Sequence, residues 1–168
     1  MIRCVLIIND HGKARLVRFY DDSVRLQFTP RFMIFQKFQK QQVIMQTVFN
    51  LISSRDSSIE CCFVENIPKE LGFAPDEKLI YRHFSSLYFI IIADSSESEL
   101  GILDLLQVFV HVLDSCFQNI CEVDIVYHYD RVNYVLDELV MAGMVLETNS
   151  EVIINTIGEV NKYSKAIS

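Results

Sequence analysis

The order of segments along the chain predicts an α+β domain in which helices pack on an antiparallel sheet. Two strand-like runs are followed by a helix, then by three more strand-like runs, and finally by segments with helical spacing. The connections between neighbouring strands are too short for βαβ crossovers, so the strands should pair antiparallel. A length of 168 residues, 51% of them apolar, predicts a single domain over 1–168.

The first two runs, "MIRCVLII" and "ARLVRFY", bracket the short segment "NDHGK" and predict a β-hairpin. Apolar residues on both alternating faces of the first run predict a strand that is covered on both sides. Gly12 and Lys13 also invite comparison with phosphate-binding loops. However, the glycine is single, no Ser or Thr follows the lysine, and the next element is a strand, so a turn is favoured.

Apolar residues recur at helical spacing over 32–52 and predict a helix, strongest from Gln39 onward. "IECCFV" then predicts a third strand, and "ENIPKELGFAPDE", with its prolines and glycines, a loop. "KLIYRHF" and "LYFIIIA" predict strands four and five. The fifth strand should be central, because none of its residues is charged.

Three helices are predicted in the C-terminal half. Ser96 or Ser98 can cap the first, whose apolar stripe comprises Leu103, Leu106, Val110, Leu113 and Phe117. A second helix should run through "DRVNYVLDELVMAG" and end at Gly143, and a third should begin behind Ser150.

Charge and cysteine content narrow the function classes. A net charge of -7 argues against binding to nucleic acid or anionic lipid through the overall field. Residues 11–40 hold seven Lys and Arg against two Asp, whereas 94–151 hold twelve Asp and Glu against Arg131 alone. This asymmetry indicates either docking against other subunits or two solvated faces. An odd count of five cysteines and the lack of a signal sequence predict a cytosolic protein with reduced thiols.

No residue pattern predicts catalysis, a cofactor or a metal. The cysteines lie in or beside apolar segments, where they usually act as small core residues, and no Cys/His set has zinc spacing. The longest purely apolar runs, such as "LYFIIIA", are too short to span a bilayer, so membrane association would come through a partner. We therefore expect an interaction domain, with a cysteine-dependent enzyme as a remote alternative.

Several segments together resemble a known family. "MIRCVLIINDHGKARLVRFY", "KLIYRHF", "LYFIIIADSSESELGILDLLQVFVHVLDSCFQNICEVDIVYH" and "DELVMAGMVLETN" resemble, in order, the small (sigma) subunits of the clathrin-associated adaptor-protein complexes. The runs "DSSESELGILDLLQVFV" and "MAGMVLETN" are most similar to the sigma subunit of the third adaptor complex.

This resemblance implies a longin-like fold, a five-stranded antiparallel sheet flanked by helices. It also implies a heterotetramer with large delta-type and beta-type adaptins and a medium (mu) subunit. The complex would lie on the cytosolic face of Golgi, endosomal and vesicle membranes and serve transport to the lysosome or vacuole. The small subunit would help to bind the acidic dileucine signals of cargo tails.

The resemblance also implies a set of site residues. Arg15 corresponds to the arginine that faces the acidic residue of the signal. The pocket for the two leucines corresponds to Ser85, Leu87, Val110, Asn119, Ile120, Val123 and Ile125.

Two departures from the family pattern keep a second interpretation open. The connection around 21–40 is longer than in the family and is basic and rich in phenylalanine, and Ser85 stands where the family usually has alanine. The insert is a tolerated loop or an unspliced segment of the gene model, or else an added contact to a partner subunit or to lipid headgroups, and the first pair of explanations is favoured. The alternative function is a scaffold subunit that takes part in assembly without binding cargo.

Overall fold

A computed structural model describes residues 1–20, 31–54, 62–65, 67–68, 71 and 73–167. Of residues 31–38, 40, 161 and 163–167 it describes the backbone alone.

Five strands form one antiparallel sheet, as predicted. They are β1 (Ile2–Asn9), β2 (Ala14–Phe19), β3 (Phe63–Val64), β4 (Lys78–Phe84) and β5 (Leu87–Ala93), in the order β2-β1-β5-β4-β3. The predicted hairpin is the β1–β2 pair, and β1 and β5 lie at the centre of the sheet. Both central strands are almost wholly buried, which confirms that their apolar faces are covered on both sides.

Helices cover both faces of this sheet. Helix α1 (Arg31–Ser53) lies on one face, and α2 (Glu99–Phe117), α4 (Tyr129–Leu139) and α5 (Ser150–Ile167) lie on the other. The alternation of side chains along β1 divides the core accordingly. Cys4, Leu6 and Ile8 pack with Ile44 and Val48 of α1. Val5 and Ile7 belong to the larger cluster, which contains the buried residues of α2, α4 and α5.

Helix α2 is the central helix of the larger cluster. Ser98 caps its N-terminus by accepting a hydrogen bond from the Gly101 N–H, and Gln118 ends it in the left-handed conformation. By length and composition alone α2 could cross a membrane, the single such helix in the described ranges. Its buried residues pack against the sheet, as in the core helix of a folded domain.

Three boundaries differ from the predictions. Strand β3 covers Phe63–Val64, and the start of the predicted strand, 59–61, lies outside the described residues. A short helix α3 (Glu122–Tyr127), which was not predicted, precedes α4. The helix expected to end at Gly143 ends at Leu139, and a small hairpin of β6 (Val140–Met141) and β7 (Met144–Val145) follows. Ala142 and Gly143 both have positive φ, which suits a two-residue hairpin turn and prevents helix continuation.

The connection around 21–40 has two parts. Residues 21–30 lie outside the described residues. The backbone of 31–40 belongs to α1, which confirms the helix predicted over 32–52 and shows that the second half of the insert is helical rather than a loop.

Gly143 should be essential to the fold. Its φ is +80°, and a Cβ at this position would lie 2.5 Å from the Ile2 carbonyl oxygen. The Gly143 carbonyl in turn accepts the Ile2 N–H at 2.8 Å, so the turn cannot move away without breaking this bond. We expect Gly143→Ala to lower the free energy of unfolding by about 2 to 3 kcal/mol, measured by urea denaturation of the full chain.

Gly158→Ala is the matched control. Gly158 lies within α5, and a Cβ there would meet no atom within 4 Å. This substitution should stabilise the chain by about 0.5 to 1 kcal/mol, because alanine has the higher helix propensity. Equal effects of the two substitutions would contradict the role assigned to Gly143.

Candidate functional site: the Arg15 corner

The β1–β2 turn is fixed by the side chain of Asn9. Its Oδ1 accepts the N–H of His11 at 3.1 Å and that of Lys13 at 2.7 Å. Gly12 has a φ of +75°, and a Cβ there would lie 2.9 Å from the Phe49 ring. The interpretation of this segment as a turn between two strands is therefore confirmed, and glycine is required at its tightest point.

Arg15, at the start of β2, makes an ion pair within the chain. Its Nε donates to Glu122 Oε1 at 2.7 Å, and its Nη2 donates to the same oxygen. The Nδ2 of the buried Asn9 donates to that oxygen as well, at 3.0 Å. Both Arg15 and Glu122 are partly exposed. One carboxylate oxygen of Glu122 thus receives three donors, and the Arg15 charge is already balanced by an internal carboxylate.

The segment between α2 and α3 holds Glu122 in this position. Gln118 and Asn119 have positive φ values of 57° and 77°, an uncommon conformation for residues other than glycine. The Ile120 N–H donates to Asp114 Oδ1 at 3.0 Å, and the Cys121 N–H donates to Asp124 Oδ2 at 3.0 Å. These two bonds fix the segment at both ends, so that α3 begins beside β2.

The aliphatic residues implied for the leucine pocket fall into two groups. Leu87, Val110, Ile120 and Ile125 all belong to the larger core cluster and are buried. Val123, by contrast, is 58% exposed, although it directly follows Glu122. The structure thus brings four of these residues into one apolar cluster and leaves the fifth on the surface.

The two polar residues of the implied pocket lie outside that cluster. Ser85 is exposed in the turn between β4 and β5 and has a φ of 57°. Asn119 is exposed in the α2–α3 segment.

Sequence reasoning missed Asn9 and Glu122. Asn9 was treated as an ordinary turn residue, and Glu122 as one of many acidic residues in the C-terminal half. An asparagine placed directly after a buried strand is a signal for a side-chain-capped turn. No local signal could have paired Glu122 with Arg15, because 107 positions separate them.

Two thiols in the described part of the chain, those of Cys4 and Cys116, lack the environment of a nucleophilic cysteine. Burial raises the pKa of the Cys4 and Cys116 thiols, whereas a nucleophilic cysteine requires a lowered pKa. Among the described residues, no group of three or more His, Cys, Asp or Glu side chains could hold a metal ion.

A five-stranded antiparallel sheet with helices on both faces defines an α+β domain of longin-like fold. Comparison with known proteins narrows this class. The chain belongs to the clathrin adaptor complex small chain family, whose family model matches residues 1–164.

Individual relatives are similar over nearly the whole chain. The AP-3 complex subunit sigma-2 of Homo sapiens is 48% identical over 99% of this chain and 78% of its own length. The AP-3 complex subunit sigma of Dictyostelium discoideum is 45% identical over 99% and 89%. Among structures, a chain of a homology model of the full-length AP-3 complex in a stretched open conformation aligns with a TM-score of 0.71. It is 36% identical and covers 99% of this chain and 97% of its own.

The start of α3 should be sensitive to acid. Hydrogen bonds from the Cys121 thiol and the Cys121 backbone N–H hold the pKa of the Asp124 carboxyl below its usual range. Because the pKa is lowered in the folded state, this carboxylate stabilises the chain above its ordinary pKa, near 4. The stabilisation is lost as the pH falls through the lowered value.

We therefore expect Asp124→Asn to lower the melting temperature at pH 7 and to have a smaller effect at pH 3. Thermal unfolding followed by circular dichroism measures both. Asp130→Asn, in the first turn of α4, is the control for removal of a helix N-terminal charge. A loss for Asp124→Asn that is as large at pH 3 as at pH 7 would contradict the assignment.

Proposed function

We propose that this chain is the small (sigma) subunit of an AP-3-type heterotetrameric adaptor complex in vesicle transport, without a catalytic role. Its partners would be large delta-type and beta-type adaptins and a medium (mu) subunit. The complex would act on the cytosolic face of Golgi, endosomal and vesicle membranes, on routes to the lysosome or vacuole. Support for this comes from the near-complete match to sigma subunits of AP-3 complexes in several organisms.

Within that complex, we propose that the Arg15 corner, the hydrogen-bonded group of Asn9, Arg15 and Glu122, contributes to the binding of acidic dileucine signals in cargo tails. The observation that carries this proposal is the hydrogen-bonded ion pair of Arg15 with Glu122, the residue that directly precedes the exposed Val123. Arg15 bonds to Glu122, and the exposed aliphatic Val123 directly follows Glu122 in the chain. In the same segment Ile120 and Ile125 are buried in the larger cluster. An acidic residue and two leucines require this combination of a cation and apolar surface.

The two halves of such a site differ in strength. Burying two leucine side chains contributes about 3 to 6 kcal/mol, whereas a partly exposed ion pair contributes about 0 to 1 kcal/mol. Association costs about 4 kcal/mol or more, so a single signal should bind weakly. Weak binding suits a coat, in which many contacts on one membrane reinforce each other through effective concentration and are released together.

Burial of the pocket residues sets a condition on this proposal. Leu87 and Val110 are almost inaccessible, so the leucines of a signal can reach them only after the residues that cover them have moved.

The alternative is a scaffold subunit that assembles but binds no signal. It is favoured by the same burial and by the engagement of Arg15 with Glu122.

Assembly can be tested by affinity purification of the tagged chain from cells, with the recovered proteins identified by mass spectrometry. We expect two large adaptins and a medium subunit in roughly equal amounts with the bait. Recovery of the chain alone, or with unrelated proteins, would overturn both versions of the proposal.

Signal binding can be tested with Val123→Asp in the assembled complex. Val123 is exposed, so its substitution should not disturb the fold, unlike a substitution at the buried Val110. We expect the affinity for an acidic dileucine peptide to fall at least about tenfold, because a carboxylate replaces apolar contact surface. Fluorescence anisotropy with a labelled peptide measures the change.

Val152→Asp, at an exposed valine of α5, is the matched control and should leave peptide binding unchanged. Wild-type affinity in the Val123→Asp complex would contradict the site assignment. Absence of binding in the wild type as well would favour the scaffold alternative.

A further inference from the structure

The Glu122 carboxylate lies where an acidic residue of a bound peptide would have to lie. It accepts two N–H groups from the Arg15 guanidinium, which is the group that an incoming carboxylate would use. A guanidinium fork offers one carboxylate a matched pair of donors, and Glu122 already uses such a pair. An acidic peptide at Arg15 must therefore displace Glu122 or share the guanidinium with it.

Sharing has an electrostatic cost. Two carboxylates at one guanidinium repel each other, and the Arg15 corner is only partly exposed, so water screens that repulsion incompletely. With Glu122 in place, the approaching peptide meets a neutral ion pair and not a free cation.

The Glu122 side chain can move away from Arg15, but the Glu122 backbone cannot. Ile125 is completely buried one turn later, and the Cys121–Asp124 hydrogen bond fixes the first turn of α3. The Glu122 side chain itself is 28% exposed and can turn away from Arg15 by rotation about its own bonds. Asn9 opposes this rotation, because its Nδ2 holds the same oxygen from the side of the turn.

We propose that Glu122 is a specificity-determining residue of the Arg15 site: an internal carboxylate that competes with the acidic residue of the cargo signal. Asn9 is a positioning residue that holds the competitor in place. The inference rests on the proposed signal-binding function and adds its regulation. Glu122 lowers the preference of the site for acidic peptides, so that the affinity for a signal depends mainly on its aliphatic residues.

The test combines two peptides with two substitutions in the assembled complex. One peptide carries an acidic dileucine signal, and the other has glutamine in place of the acidic residue. Glu122→Gln keeps a hydrogen-bond acceptor for Arg15 and Asn9 and removes the charge. Glu99→Gln is the matched control, because Glu99 is 33% exposed and is likewise paired with a cation, Lys78, at the other end of α2.

We expect Glu122→Gln to raise the affinity for the acidic peptide about two- to fivefold, in proportion to a partly exposed charge pair, and to leave the glutamine peptide unchanged. Glu99→Gln should change neither affinity. Binding of the acidic peptide to the Glu122→Gln complex alone, with none to the wild type, would also support the proposal and would mean that Glu122 closes the site.

Two results would overturn it in distinguishable ways. In the first, the wild-type complex binds the acidic peptide, but Glu122→Gln leaves that affinity unchanged, lowers it, or raises the affinity for both peptides equally. This result overturns only the role of Glu122 as a competitor. No binding of either peptide to wild type or variant overturns the proposed signal-binding function, and the inference falls with it.

Discussion

Strand β1 is buried on both faces, and the rest of the structure is arranged around that burial. From Cys4 to Ile8 its even and odd residues enter different hydrophobic clusters, so each face needs its own helical layer. Helix α1 covers one face and α2 with α4 and α5 the other, while β2 and β5 supply the hydrogen bonds along the two edges of β1. A polar substitution within β1 would leave a buried polar group unsatisfied in one of the two clusters, whichever face it occupied.

The Arg15 corner is a direct extension of this strand. Asn9 is the last residue of β1 and is itself buried, so the position of its side chain is set by the core. Through Asn9 the core fixes both the β1–β2 turn and the Glu122 carboxylate. The geometry of the Arg15 corner is thereby determined by the end of a buried strand. Side chains held by a strand are positioned more exactly than side chains held by a loop.

The sequence predicted the sheet better than it predicted the site. Strands β1 and β5 and helix α2 can be recognised from the spacing of their own apolar residues. Their packing partners need not be known for this. The β6–β7 hairpin was missed because "VLDELVMAGMV" also continues a helical pattern, and only the φ values of Ala142 and Gly143 decide between the two. The resemblance to sigma subunits supplied Arg15 as a candidate site residue. The Glu122 partner could not be derived from the sequence, because a contact across 107 positions leaves no local pattern.

The same structure explains the uneven distribution of charge along the chain. The basic N-terminal part and the acidic C-terminal part meet in the fold: Arg15 pairs with Glu122, and Arg18 with Asp137. Both arginines belong to β2, an edge strand of the sheet, and both carboxylates belong to the layer of α3 and α4. Exposed pairs of this kind contribute little stability individually, but two of them along one strand oppose its separation from the helices. Ion pairs within the chain therefore explain part of the uneven charge distribution, and docking to partner subunits need not explain all of it. A ligand that engages Arg15 would then compete with one of the contacts that hold β2 against the helical layer.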